Sequence, residues 1–96
     1  MTVLSDEQVQ SHLGELNDDW EKYGNSLRRE FKFDDFSGSV DFVTRLTPVA
    51  NEMNHHPDLF ISWNLVRVSL ISHSEHGITE KDFELATRLD GLAQGP

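Results

Sequence analysis

Apolar residues recur every three or four positions in three stretches of the chain and every second position in two others, and polar, turn-forming segments separate them. Ser5 precedes Asp6-Glu7-Gln8, and Val9, Leu13 and Leu16 follow at helical spacing. A serine hydroxyl takes the backbone hydrogen three residues on while a glutamine there returns the bond. The pattern therefore predicts a capping box and a first helix from about Asp6 to Gly14 or a little beyond.

Trp20 to Tyr23, a turn at Gly24-Asn25-Ser26, and Leu27 to Phe33 predict a β-hairpin. Leu27, Arg29, Phe31 and Phe33 fall on one face of its second strand and Arg28, Glu30 and Lys32 on the other, as in a half-buried antiparallel sheet. Asp34 or Asp35 then caps a second helix. Phe36, Val40, Val43 and Ala50, with Phe42, Leu46, Val49 and Met53, give that helix a broad apolar stripe. Pro48 lies inside the stripe, where it removes one backbone bond, so a kink or break is expected near Thr44 to Thr47.

Leu59 to Trp63 and Val66 to His73 are rich in β-branched and aromatic residues, with the turn expected at Asn64. Val66, Val68 and Leu70 point to one face, and Arg67, Ser69, Ile71 and His73 to the other. Thr79-Glu80-Lys81-Asp82 opens a third helix that buries Phe83, Ala86, Leu89 and Leu92, and residues past Gly91 read as a frayed tail. The expected fold is α+β in the order α-β-β-α-β-β-α, a four-stranded antiparallel sheet with helices packed on one face.

Composition narrows the function. At 96 residues the chain is expected to be one domain, 1–96, with little interior for a deep pocket, so assembly into an oligomer is expected. A hydrophobic fraction of 36% is enough for a packed core. Seventeen acidic against eight basic residues give a formal charge of -9, which disfavours nucleic acid and anionic lipid as direct partners. Cysteine is absent, which excludes disulfides, thiolate nucleophiles and cysteine-bound zinc. No signal-like or membrane-spanning run is present in the sequence, so a cytoplasmic location is expected.

Four of the five histidines lie between His55 and His76. A two-residue turn at Asn64-Leu65 pairs Trp63 with Val66 and brings His56 level with His73, whereas a three-residue turn brings His55 there. Either register predicts that His55, His56 and His73 converge. Isolated histidines are commonly surface residues, as His12 and His76 are read here. A zinc site is disfavoured because adjacent residues in extended chain point apart and Pro57 pushes His56 toward extended geometry. Three converging imidazoles instead suit proton exchange with a neutral heterocycle, because histidine changes charge near neutral pH. Phe60 and Trp63 would offer a stacking wall, with plain packing the favoured reading for Trp63. Arg67 and Ser69 receive no role.

The segment Asn54-His55-His56-Pro57, then Trp63, Ser72-His73, Gly77-Ile78-Thr79 and Asp82, resembles the pterin-4a-carbinolamine dehydratases. The likeness extends to the opening Leu-Ser, Trp20, Phe31-Lys32-Phe33, Asp35-Phe36 and Phe42-Val43-Thr44-Arg45. The resemblance implies an α+β hydro-lyase that dehydrates 4a-hydroxytetrahydrobiopterin to quinonoid dihydropterin, in tetrahydrobiopterin recycling, with no metal or cofactor. It implies His55 and His73 as the acid–base pair, and His56, Asn51, Asn54 and Pro57 as residues that bind the pterin. It also implies a homodimer or homotetramer. Many members carry an acidic residue where this chain has Asn51, so a change in the protonation of His55 or in the hold on the amino-pyrimidine edge is expected. Two rival readings are an interaction or dimerisation cofactor with idle histidines, and a metal module using His55, His56, His73 and His76.

Overall fold

The computed structural model describes residues 2–94, in the order α1 (Asp6–Leu13), β1 (Glu21–Tyr23), β2 (Ser26–Lys32), α2 (Phe36–Met53), β3 (Asp58–Ser62), β4 (Leu65–Leu70), a 3₁₀ turn (His73–Glu75) and α3 (Glu80–Ala93). The strands form one antiparallel sheet ordered β1-β2-β4-β3. This is the α+β layout that the sequence predicts. No helix among the described residues is long and apolar enough to cross a membrane.

The capping box at Ser5 forms: its Oγ accepts from Gln8 N at 3.2 Å and its N–H donates to Gln8 Oε1 at 2.8 Å. In the first hairpin Tyr23 pairs with Ser26, so Ser26 belongs to the strand and the turn is Gly24-Asn25. Gly24 adopts φ 60°, which a residue without Cβ does freely.

The alternation in β2 sorts as predicted. Leu27 and Phe31 are buried with Val66, Val68 and Leu70 of the neighbouring β4, and Val9, Phe42, Leu46, Leu85 and Leu89 cover them from the helices. Each such side chain contributes about 1.5–3 kcal/mol by leaving water. Arg29, between Leu27 and Phe31, lies over the Phe31 ring at 4.2 Å and pairs with Asp90 at 2.6 Å. On the opposite face Arg67 holds the cross-strand Glu30 at 2.9 and 3.1 Å.

Asp35 caps α2, its carboxylate accepting from Gly38 N at 2.8 Å. Of the kink or break expected near Thr44 to Thr47, the break does not occur: the helix runs continuously through Pro48. Thr44, whose carbonyl loses its partner to the proline, and Pro48 are both exposed, so water can satisfy the freed acceptor. The buried face is narrower than predicted: Ser39, Phe42, Leu46 and Ala50 are inside, while Phe36 and Val40 stand 53% and 42% exposed. Ser39 is buried because its hydroxyl donates to Trp63 O at 2.7 Å, tying the helix to the second hairpin.

That hairpin turns earlier in the chain than either predicted register. Ser62 pairs with Leu65, and Trp63-Asn64 forms the turn with Trp63 at φ 47°. Trp63 is 64% exposed and Phe60 52%, so neither is the packing residue that was expected of Trp63. All of β3 is exposed at the sheet edge. At the other end of the chain α3 continues past Gly91 to Ala93, with Leu92 and Ala93 against the core and Leu92 O accepting from Arg45 Nη1 at 2.6 Å. The expected frayed tail thus begins no earlier than Gln94, and its last two positions lie outside the described residues.

A short N-terminal strap crosses the loop before α3. Leu4 N donates to Ile78 O at 2.8 Å, and Val3 sits so close to Gly77 that a Cβ there would lie 2.7 Å from Val3 Cγ1.

Candidate active site

Helix α2 ends on Asn54 in the left-handed conformation, φ 50°, with its N–H on Ala50 O and Asn51 O. Asparagine tolerates this geometry, and it turns the chain sharply out of the helix. His55 N returns to Ala50 O at 3.0 Å, which fixes the next residue as well. The His55 side chain is 11% exposed and its Nε2 lies 2.5 Å from Asp82 Oδ1.

Asp82, in the first turn of α3, is fully buried. Its Oδ2 accepts from Thr79 N at 2.8 Å and from Ser72 Oγ at 3.1 Å, and the Ser72 and Thr79 hydroxyls lie 2.7 Å apart. A buried carboxylate is costly unless its oxygens are hydrogen-bonded, and both are. The N-terminus of α3 favours negative charge at the same spot.

Strand β4 stops at Leu70, and Ser72 and Gly77 close a loop by Ser72 N to Gly77 O at 2.9 Å. His73 therefore opens a 3₁₀ turn instead of lying on the strand, level with neither His55 nor His56 as the two predicted registers had it. Its Nε2 is 3.5 Å from Asp58 Oδ2, and both side chains are mostly exposed. Ser74 donates to Glu75 and holds that carboxyl below its usual range.

A cleft of about 260 Å³ is lined by Asn54, His55, Ser72, His73, Ser74, Glu75 and Lys81. Of the six residues predicted from the sequence, Asn54, His55 and His73 line it. His56 and Asn51 pair with each other instead, His56 Nε2 to Asn51 Oδ1 at 2.9 Å, and Pro57 follows, half-buried. Among the described residues no hydrogen bond joins a ring nitrogen of His55 to Asn51, whose side chain meets His56. Glu52 faces away to Arg88 at 3.3 Å.

Asp82, Ser72 and Thr79 are the residues that sequence reasoning undervalued. The signal was present: Thr79 followed three residues later by an acid is a capping box, yet such caps are normally solvent-exposed. His76 is exposed, as expected, whereas His12 is half-buried, its ring 4.9 Å from Phe83 and its Nδ1 2.8 Å from Gln8 O. A larger hollow of about 590 Å³ on the outer face of the sheet, lined by Arg28, Glu30, Lys32 and Arg67 among others, is wide open and contains no histidine. Among the described residues no three His, Asp or Glu side chains are grouped as metal ligands would be.

Comparison with known proteins bears on the family of the chain as a whole. Residues 2–92 match the family model described as pterin 4 alpha carbinolamine dehydratase. A Sulfolobus acidocaldarius protein that carries pterin-4-alpha-carbinolamine dehydratase as a provisional name is 45% identical over 89 residues, covering 93% of this chain and 97% of its own. A Mycolicibacterium vanbaalenii protein with the same provisional name is 45% identical over 92 residues, 96% of this chain and 98% of its own. Among solved structures, the transcriptional coactivator/pterin dehydratase from Brucella melitensis superposes with a TM-score of 0.90 at 34% identity, over 96% of this chain and 99% of that one. A pterin dehydratase-like protein identified as a RuBisCO assembly factor in the alpha-carboxysome shares the fold, at a TM-score of 0.65 and 20% identity over 80% and 89% of the two chains. With a match along almost its whole length, and two of the three motif histidines on one cleft, the chain belongs to the pterin 4 alpha carbinolamine dehydratase family.

Proposed function

We propose that the protein dehydrates 4a-hydroxytetrahydrobiopterin to quinonoid dihydropterin and water, with His55 and His73 as the acid–base pair. The observation that carries the reading is that these two imidazoles, from different stretches of chain, line one cleft. Hydroxide leaves a carbon poorly. One imidazolium gives its proton to the 4a-hydroxyl as the carbon–oxygen bond breaks, and the electron pair departs with the water. The other imidazole accepts a proton from a ring nitrogen of the pterin, so the product forms without net charge. A positioned donor of this kind typically speeds such a step by about 10²–10⁴-fold.

Asn54 at the cleft wall, with His56, Asn51 and Pro57 beside His55 in the chain, would hold the heterocycle. The proposed reaction needs no metal and no organic cofactor, and turnover is expected to survive chelator. The test is a dehydration assay with synthetic carbinolamine. His55→Ala and His73→Ala should each lose about 10²-fold or more in kcat. Turnover unaffected by both changes would discard the reading.

An interaction role has one observation in its favour. Leu59, Phe60, Ile61 and Trp63 are exposed along the edge strand β3 and its turn, a surface that invites pairing. We infer from it a homodimer or homotetramer. Absence of turnover from the wild-type protein, with assembly intact, would favour a binding module over an enzyme.

A further inference from the structure

We infer that Asp82 is a positioning residue that fixes His55 as the tautomer protonated at Nε2, leaving Nδ1 as the nitrogen that exchanges protons in the cleft. The inference deepens the acid–base reading above and rests on it for its catalytic half.

The hydrogen-bond count around Asp82 decides the tautomer. Thr79 N lies 2.8 Å from Oδ2 and, being a backbone amide, can only donate. Ser72 Oγ donates to the same oxygen at 3.1 Å. Oδ2 is thus committed as an acceptor, and Oδ1 remains for His55 Nε2 at 2.5 Å. An acceptor on that side requires the hydrogen on Nε2, so in neutral imidazole the lone pair is on Nδ1. Nδ1 has no protein partner among the described residues, while the His55 side chain lines the cleft.

The other two histidines lack such a lock. His73 meets Asp58 at 3.5 Å with both groups largely in water. His56 meets the side-chain amide of Asn51, which presents either an acceptor or a donor after a half-turn of its own. Of these three, and among the described residues, His55 alone is held from two sides, by the C-terminal turn of α2 through its backbone N–H and by the buried first turn of α3 through its ring. Enzymes that pair a buried carboxylate with a catalytic imidazole in this way lose about 10⁴-fold in kcat when the carboxylate becomes an amide, because the wrong tautomer results.

Asp82→Asn tests the inference with little change of shape. The two donors at the Oδ2 position draw the amide oxygen there, so the amide nitrogen faces His55 Nε2 and drives the ring hydrogen to Nδ1. Long-range proton–nitrogen spectra of ¹⁵N-histidine protein should find neutral His55 protonated at Nε2 in the wild type and at Nδ1 in D82N. In the carbinolamine assay kcat of D82N should fall by about 10²–10⁴-fold with KM within about threefold. A wild-type spectrum with the hydrogen on Nδ1 overturns the inference, and this measurement stands even where D82N fails to fold. A reversed tautomer with kcat unchanged overturns it equally. A reversed tautomer in a protein whose wild type shows no turnover upholds the lock and removes the acid–base reading instead.

Discussion

Asn51 Oδ1 and His56 Nε2 lie 2.9 Å apart, so the last turn of α2 reaches forward to hold the second histidine of the pair while the first is held by α3. The resemblance led to an expectation that the residue at position 51 acts on His55 or on the pterin. The contact is with His56.

Asn51→Ala should therefore act on binding more than on chemistry. Losing one hydrogen bond of about 1 kcal/mol predicts a rise in KM of about fivefold with kcat within about twofold. Steady-state kinetics on the carbinolamine decide this, and a fall in kcat matching that of His55→Ala would contradict it.

Pro48→Ala should stabilise the protein by about 1–2 kcal/mol. Proline in a helix interior is about 3 kcal/mol worse than alanine, and part of the gain is offset because alanine frees the unfolded chain. The midpoint of urea unfolding should rise with no change in slope. A lower midpoint would mean that the proline supports a contact made by the exposed face of α2.

Asp90 sits between Trp20 Nε1 at 2.8 Å and Arg29 Nη1 at 2.6 Å. Burial pushes its carboxyl above the ordinary aspartate range, with the Trp20 and Arg29 contacts pulling the other way. Asp90→Ala leaves a partly buried guanidinium and an indole N–H short of a partner, and should cost about 2–3 kcal/mol. The pH dependence has a defined sign. With the folded value raised, the native state binds the proton first, so this group's contribution to stability grows as pH falls through the folded value to the unfolded one. The advantage of wild type over Asp90→Asn should widen from pH 7 to about pH 3.5, followed by paired urea titrations. A narrowing gap would reverse the sign.

Ile61→Lys places a charge on the middle of the exposed edge strand β3, a device that natural sheets use against edge pairing. If copies of the chain associate through this edge, the dissociation constant should rise at least about tenfold, equivalent to 1.4 kcal/mol. Sedimentation velocity across a concentration series reads the change, and identical profiles would move the association elsewhere.

Much of the fold was legible because local chemistry and global packing agree. Ser5 and Gln8, Asp35 and Gly38, and the alternation from Leu27 to Phe31 each specify their element within a few residues. The second hairpin was misread by local reasoning: Asn64 is a good turn residue, but the left-handed position is taken by Trp63. Ser39, a helix residue far back in the chain, secures that turn by bonding the Trp63 carbonyl, a tertiary contact that no propensity reveals. Strand β4 also ends before His73, yet loop closure at Ser72 and Gly77 still delivered it to the cleft. Asp82 was visible as a helix cap, while its burial was not, since burial depends on Ser72 and His55 arriving from elsewhere.

The strap formed by Val3 and Leu4 gives this arrangement a vulnerability at a distance. Gly77 and Ile78, which it touches, belong to the segment that joins His73 to the cap of Asp82. Removing Val3 and Leu4 would therefore take a contact from the very segment on which both His73 and Asp82 hang, which makes the first residues of the chain part of the cleft's support.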